Sequence, residues 1–370
     1  MGGDSPIRRS DGLPAGRAMP KYVSWSCVPR RPRNPWSACE GGMERAMADD
    51  ARTGTRLYSA EILALATSGT LFAASLLLAT QSQQSVAWGE FILWNAFAAV
   101  LIGGGLERRA LNTSPGAAHA MISVGLLFNF GSSAALLNYL LFPIEREMID
   151  PLLFRIDRQL GYFWGDFVHF FDRMPGIGVA LSYIYNSALF QVLGVIVLLG
   201  LTERQLQLHR FLVAGTVSVC LTLAIWWAAP SIGPSAYYEI PESISDNINL
   251  VVDTAYGEEL AQLAREGTAT IQAREISGVI AFPSLHTVMA CMVVVFTLGT
   301  RLFLPALALN APMIPATLAH GGHHLSDVFG GLAVFILALA AAVWMLPGPA
   351  GRETGAAGAG APSGGGRNGQ

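Results

Sequence analysis

Residues 327–346 read DVFGGLAVFILALAAAVWML, a run in which Asp327 is the only ionisable side chain. About 20 apolar residues in helical conformation cross the roughly 30 Å hydrocarbon core of a bilayer. This stretch is therefore predicted to be a membrane-spanning helix that carries its single charge at its first residue. Comparable apolar runs recur upstream. The eight predicted spans are 57–80, 87–106, 117–142, 176–200, 211–229, 284–300, 302–319 and 327–346.

The composition of the whole chain also indicates a membrane protein. Apolar residues make up 52% and charged residues 13%, against about 25% charged residues in soluble domains. Twenty of the thirty charges in residues 57–346 fall within the two segments 143–175 and 230–280. The net charge of -3 gives no basic excess, so the bilayer is an expected partner and nucleic acid is not.

The charged residues between the spans predict an orientation. Short cytoplasmic loops collect Lys and Arg, and alternate loops here do so, whereas segments 143–175 and 230–280 are mainly acidic. We predict an all-α fold, a polytopic membrane helical bundle of about eight transmembrane helices with both termini cytoplasmic. The residues that would lie in cytoplasmic turns are Arg108, Arg109, Arg204, Arg210 and Arg301.

The predicted spans and the local composition divide the chain into four segments. Residues 1–56 are predicted to be a disordered basic leader, and residues 57–142 three N-terminal transmembrane helices. Residues 143–346 form a membrane domain with motifs at 282–286 and 320–327, and residues 347–370 a disordered Gly/Ala-rich tail. Within the domain, segment 150–173 is either an amphipathic helix in the outer interface or an ordinary connecting loop.

Two histidine-bearing motifs lie at the starts of the sixth and eighth spans. Phe282-Pro283-Ser284-Leu285-His286 opens the sixth, and the stretch from Ala319 to Asp327, AHGGHHLSD, leads into the eighth. Placing an ionisable group at the end of a membrane helix costs free energy, so a residue of this kind is a candidate for a functional role. With an even number of spans, both motifs face the outer side, where they can meet.

The spacing of these residues indicates their chemistry. His323 and Asp327 are four apart, so on a helix they share a face and the carboxylate can orient the imidazole as a nucleophile or base. Ser284 is a plausible N-cap, and the free N–H groups of a helix start favour an anion such as phosphate.

The pair Pro283-Ser284-Leu285-His286 and His323-x-x-x-Asp327 resembles the second and third motifs of the type-2 phosphatidic acid phosphatase superfamily. The amino-acid sequence of residues 282–286 looks most like that of its inositol phosphorylceramide synthase-like branch. The resemblance implies that His323 attacks phosphorus to form a phosphohistidine, that Asp327 orients His323, and that His286 protonates the leaving alkoxide. It makes residues 143–346 a phosphatase-like membrane domain, for which we expect no cofactor and no metal site.

The cations that usually clamp the phosphate in this family are missing from their usual places. The first motif is absent, since the only lysine is Lys21, and the usual Ser-Arg of the third motif is replaced by Ala316 and Thr317. Arginines of the outer segments are candidate substitutes, namely Arg155, Arg158, Arg265 and Arg274. The substrate-binding residues that we predict are Ser284, Thr317, His320, Arg265 and Arg274.

Three functions remain open on the sequence. The first is an integral-membrane phosphoesterase that cleaves a phosphatidic acid-like lipid phosphate at the outer face of a bacterial inner (cell) membrane. The second is a phospholipid head-group transferase with the same His/His/Asp site and an alcohol as acceptor. The third is a non-enzymatic metal- or haem-binding membrane protein. Its ligands would be His286, His320, His323 and His324. The oligomeric state is left open.

Overall fold

The computed structural model describes residues 56–348. The predicted leader, apart from residue 56, and the predicted tail, apart from residues 347 and 348, lie outside the described residues. The described chain is mostly helical. Its α-helices are α1 Ser59–Ala79, α2 Trp88–Ala110, α3 Pro115–Leu140, α4 Asp150–Gln159, α5 Trp164–Asp172, α6 Pro175–Asn186, α7 Ala188–Leu201, α8 Gln205–Ala228, α9 Glu242–Ile248, α10 Thr254–Glu266, α11 Leu285–Phe296, α12 Phe303–Asn310, α13 Met313–His320 and α14 Leu325–Met345. Short 3₁₀ turns occupy Pro234–Ala236 and Ala273–Glu275, and two-residue strands β1 Ser85–Val86 and β2 Thr270–Ile271 pair in parallel.

Within residues 56–348, five helices are long and apolar enough to cross a membrane, namely α1, α2, α3, α8 and α14. A sixth span is obtained if α6 and α7, which meet at a 49° bend, act together. The predicted count of eight is therefore not confirmed. Predicted span 284–300 contains only the 12-residue α11, about 18 Å at 1.5 Å per residue. Predicted span 302–319 is divided into α12 and α13, with Pro312 at the break.

Small residues let helix α3 pack closely against its neighbours in the centre of the bundle. A side chain at Gly125 would lie 2.8 Å from the carbonyl oxygen of Ala98 in α2, and a side chain at Gly200 in α7 would lie 2.8 Å from the Cα of Ala120 in α3. Small residues of this kind let helix backbones approach closely in membranes. Helix α3 thus packs against the N-terminal helices on one side and against α7 on the other.

The loops separate into two groups at the two ends of the bundle. At one end, Arg204 donates to the carbonyl of Gly299 at 2.9 Å, and Arg210 donates to the carbonyl of Leu346. At the other end, Asp150 accepts from Ser231 at 2.9 Å, which joins α4 to the segment after α8. The turns predicted to be cytoplasmic thus lie together, and so do the segments predicted to be external.

Segment 150–173 folds as two helices, α4 and α5, rather than as an irregular loop. The break between them is at Gly161, whose φ of +77° suits glycine. In helix α4, Asp150 and Asp157 are buried against the bundle whereas Arg155 and Arg158 are exposed. The buried face of α4 reaches the start of α14, where the predicted site lies.

Candidate active site

The predicted pair of His323 and Asp327 is formed, but by a different local geometry from the one predicted. Helix α14 begins at Leu325 with His324 as its N-cap, so His323 lies outside the helix. Asp327, in the first turn, folds back and accepts from the Nδ1 of His323 at 2.9 Å and from the backbone N–H of His324 at 2.9 Å. An ionised carboxylate only accepts hydrogen bonds. This contact therefore favours the tautomer of His323 with its proton on Nδ1, in which Nε2 is directed away from Asp327.

The second motif lies directly across from the first. The ring centroids of His286 and His323 are 6.4 Å apart, with the rings inclined at 67°. His286 is in the first turn of α11, and the predicted N-cap is confirmed, since the Ser284 hydroxyl accepts from the backbone N–H of Thr287. Tyr185 stacks on the His286 ring at a centroid distance of 4.0 Å. The structure thus brings the two motifs together, as their positions at two span starts predicted.

His324 has a structural position next to the site. Its Nδ1 lies 3.1 Å from a carboxylate oxygen of Asp157 and its Nε2 lies 3.4 Å from one of Asp150, and all three side chains are buried. Burial alone would lower the pKa of His324, but hydrogen bonds to the two carboxylates raise that pKa to about 9. His324 is therefore an imidazolium at neutral pH, and it ties α4 to the start of α14.

Asp157 completes this connection by capping α14. It accepts from the backbone N–H groups of Leu325 and Ser326 and from the Ser326 hydroxyl. Burial would raise the pKa of Asp157, but hydrogen bonds from His324 and Ser326 hold it below its usual value. The loop that carries His323 is further held by Tyr162, whose hydroxyl donates to the carbonyl of His323 at 3.1 Å.

His286 and His323 line a cavity of about 410 Å³ that is partly open at the surface of the bundle. Its other walls come from α3, α7, α8, α10, α11 and the segments 232–235 and 277–281, and its lining is largely apolar. Ser235 also lines it, and this side chain is only 4% exposed. Its hydroxyl has no hydrogen-bond partner among the described residues. A buried hydroxyl normally has a partner, so Ser235 is placed to serve a bound group next to the histidines.

The PAP2 superfamily profile matches residues 151–341, which is more than half of the chain. The chain belongs to the PAP2 superfamily. PAP2 proteins are generally phosphatases or phosphotransferases, so this is a membrane enzyme of that type. The matched part runs from α4 into α14 and includes both histidine motifs, whereas α1–α3 precede it. Searches of curated proteins and of solved structures found no significant match.

Two of the predicted substrate-binding residues of the PAP2 domain do not line the cavity. Thr317 and His320 are fully buried in α13, and His320 Nε2 lies 2.9 Å from the carbonyl oxygen of Gly178 in α6. Neither lines the cavity. Ser284 is also buried, and its role in the structure is the cap of α11. The structure thus brings Ser284 near the histidines and directs His320 towards α6.

The predicted arginine substitutes for the PAP2 phosphate clamp are on the outside of the described chain. Arg274 is exposed and pairs with Glu90 at 3.1 Å, and Arg265 is exposed near the end of α10. Arg155 and Arg158 are on the exposed face of α4. No Lys or Arg is among the described residues that line the cavity. In the structure as it stands, the lining offers neutral donors such as Ser235 rather than cations.

The metal-binding alternative concerns the same histidines. Among residues 56–348, no group of three or more His, Cys, Asp or Glu side chains is arranged to hold a metal ion.

A second buried polar cluster, which we did not predict, lies at the opposite end of the bundle. Arg109 makes two hydrogen bonds to Glu61, at 2.6 and 2.9 Å, and its guanidinium lies 4.5 Å from the Tyr58 ring centroid. His119 and His209 complete the cluster. Only His209 is within the matched PAP2 segment. The cluster therefore connects the N-terminal helices to the PAP2 domain.

Proposed function

We propose that this protein is an integral-membrane phosphoesterase that cleaves a phosphatidic acid-like lipid phosphate through a phosphohistidine. One observation carries the proposal: Asp327 orients His323, and His323 and His286 lie close together in the lining of one cavity. A fixed Nδ1–H leaves Nε2 as the nucleophile. With their ring centroids 6.4 Å apart, the two imidazoles are close enough to contact the same phosphoryl group.

The reaction has two balanced steps. In the first, Nε2 of His323 attacks phosphorus, a P–N bond forms, the ester P–O bond breaks, and the leaving alkoxide takes a proton from His286. In the second, water attacks the phosphohistidine, gives a proton to His286, and the P–N bond breaks to release phosphate. Asp327 stabilises the positive charge that develops on His323. No metal ion takes part in either step.

The phosphate oxygens require donors in the cavity. The hydroxyl of Ser235 is the most direct candidate, since it is buried, lines the cavity with both histidines and has no partner in the described chain. The predicted contacts from Ser284, Thr317, His320, Arg265 and Arg274 stay part of the proposal only if these groups move towards the cavity when substrate binds. Ser235 needs no such movement.

We also propose that the site faces the outer side of a cell membrane, with both termini cytoplasmic. Helices α11 and α14 both begin at the site, so α12 and α13 must return the chain between them, which supports counting α11 as one pass and α12–α13 as another. Arginines gather at the far end of the bundle, where Arg204 and Arg210 contact Gly299 and Leu346. By the positive-inside rule, that end is cytoplasmic.

A head-group transferase is the second candidate. Part of the cavity wall comes from α10 and residues 277–281, which connect α8 to α11 and could keep water away from a phosphohistidine. The amino-acid sequence of residues 282–286 resembles that of the inositol phosphorylceramide synthase-like branch, and this resemblance supports the alternative. A chase of the radiolabelled phosphoenzyme with water or with an added alcohol distinguishes the two, because the label ends on the acceptor.

The experiment that tests the proposal is a phosphate-release assay with the purified protein in detergent, with chelator present. Phosphatidic acid and simple alkyl phosphates are the substrates, and His323→Ala is compared with His169→Ala, a histidine of α5 that does not line the cavity. We expect release by the wild type and by His169→Ala, and none by His323→Ala. Activity that returns only when a divalent ion is added would contradict the mechanism.

A further inference from the structure

The cavity extends far beyond the space that a phosphate needs. From the catalytic histidines it runs between α3, α7, α8 and α11, and it is lined in α8 from Phe211 to Leu223. These 12 residue steps correspond to about 18 Å along a helix. The tails of one leaflet occupy roughly 15 Å, half of the 30 Å hydrocarbon core. The cavity is therefore as long as one lipid tail.

The lining along this length is mostly apolar, with Asn138, Thr216 and Ser218 as its polar members. Away from the histidines it is formed mainly by aliphatic and aromatic side chains, including Leu127, Phe130, Val192, Met289 and Met292. The apolar stretches of such a wall offer ordered water no hydrogen-bond partner, and leaving them without contacts costs packing free energy. Its natural occupant is a hydrocarbon chain, and it joins the site where a phosphate would react.

One wall comes from outside the PAP2 segment. Helix α3 precedes the matched residues 151–341, yet several of its residues line the cavity. Gly131 is one of them, and a Cβ placed there would meet no atom within 4 Å, so the space beside it is open. Ala135 lines the cavity one helical turn further along α3, about 6 Å nearer to the end of α3 that contacts the outer segment through Tyr139 and Ser277.

We propose that this cavity holds one hydrocarbon chain of the lipid phosphate inside the bundle, and that α3 sets the length of the chain that the enzyme accepts. The inference rests on the proposed function, because it assigns the chain of the molecule whose phosphate reacts at His323. It gives the N-terminal helices a role in substrate selection. The ligand is a phosphate monoester with a long unbranched chain, bound with the phosphate at the histidines and the chain along α8.

Two variants test the geometry of this proposal. Gly131→Leu projects into the middle of the stretch that α3 lines, and Ala135→Leu projects one helical turn nearer to the histidine end. The matched control is Gly69→Leu, because Gly69 is also an exposed helical glycine with open space around it but does not line the cavity. The assay measures phosphate release from butyl, octyl, dodecyl and hexadecyl phosphate by protein reconstituted in nanodiscs.

The expected result is a graded loss of preference for long chains. The ratio of hexadecyl to butyl activity should fall at least tenfold in Gly131→Leu. In Ala135→Leu the ratio of dodecyl to butyl activity should fall as well, because the obstruction is nearer to the site. Gly69→Leu should keep the wild-type ratios. Identical chain-length profiles in the wild type and both cavity variants would overturn the proposal.

A binding measurement separates failure of this proposal from failure of the proposed function. Non-hydrolysable hexadecylphosphonate and butylphosphonate are added to the same proteins, and the increase in melting temperature reports binding. Stabilisation of the wild type and of Gly69→Leu by the long chain, lost in Gly131→Leu, supports the cavity assignment even if no phosphate ester is hydrolysed. Equal stabilisation of all proteins by both phosphonates would overturn the assignment even if hydrolysis occurs.

Discussion

The backbone N–H of Ser284 donates to the carbonyl oxygen of Asp327 at 3.0 Å. This hydrogen bond joins the helix start that carries His286 to the helix start that carries His323 and its carboxylate. The close approach depends on Gly331, one turn further along α14, because a Cβ at this position would overlap the carbonyl of Ser284. The distance between His286 and His323 is thus set by the packing of α11 against α14.

The substitution Gly331→Ala should therefore separate the two helix starts and lower activity. Overpacking of this kind costs about 1–3 kcal/mol, and the separation should reduce kcat more than it reduces the melting temperature. The control is Gly194→Ala in α7, where a Cβ meets no atom within 4 Å and Ala favours the helix. Steady-state phosphate release and thermal unfolding check both variants. Full activity of Gly331→Ala would show that the close contact does not control the site.

The role of His286 as a proton donor makes a prediction about leaving groups. An alkoxide must be protonated as it leaves, whereas p-nitrophenolate is stable without a proton. His286→Ala should therefore reduce hydrolysis of an alkyl phosphate by about 10²–10⁴-fold and reduce hydrolysis of p-nitrophenyl phosphate much less. Rates measured side by side on the two substrates test this. An equal loss on both would assign His286 a role other than protonation of the leaving group.

The charged state of His324 predicts how stability depends on pH. The pKa of His324 is raised from its usual value near 6.5 to about 9 in the folded protein. Its stabilising contribution is therefore complete below about pH 6.5 and is lost as the pH rises through 9. His324→Gln should lower stability at pH 6.5 by about 1–3 kcal/mol and make the melting temperature less dependent on pH between 7 and 10. Parallel curves for the wild type and the variant would contradict this prediction.

The buried pair of Glu61 and Arg109 should contribute to the docking of the N-terminal helices. Removing one partner leaves a buried charge unpaired, which costs about 3–5 kcal/mol. Arg109→Met should thus be strongly destabilising, whereas the double variant Glu61→Leu with Arg109→Met should regain most of the loss. Thermal unfolding of the single and double variants in nanodiscs measures this. A double variant as unstable as Arg109→Met would indicate that the pair does not act through its charges.

The sequence predicted the parts of this structure that depend on composition and spacing. Charge scarcity predicted the membrane bundle, and the two motifs predicted that His286 and His323 meet. The sequence did not predict that two of the eight expected spans are irregular. Helix α11 is short, and Pro312 interrupts the next apolar run. The sequence also predicted a helical face for His323 and Asp327, whereas a capping interaction brings them together, since helix boundaries depend on the partners of the first turn.

The residues that were missed depend on tertiary structure. Ser235 lies in the segment after α8, and its burial beside the histidines follows from the packing of Gly233 against Gly322, which leaves no space for a side chain at residue 233. Likewise, no local pattern connects α3 to His286 and His323, which lie more than 100 residues later in the chain. Long-range packing of this kind cannot be read from one sequence.

The central claim is that His323 becomes phosphorylated, and trapping the intermediate tests it most directly. The protein is mixed with a ³²P-labelled alkyl phosphate, quenched in base, and analysed for label that is stable in base and released in acid. We predict that this label is found on the peptide that contains His323, is present in His169→Ala and is absent from His323→Ala. Label on another residue, or hydrolysis by His323→Ala at the wild-type rate, would contradict the account.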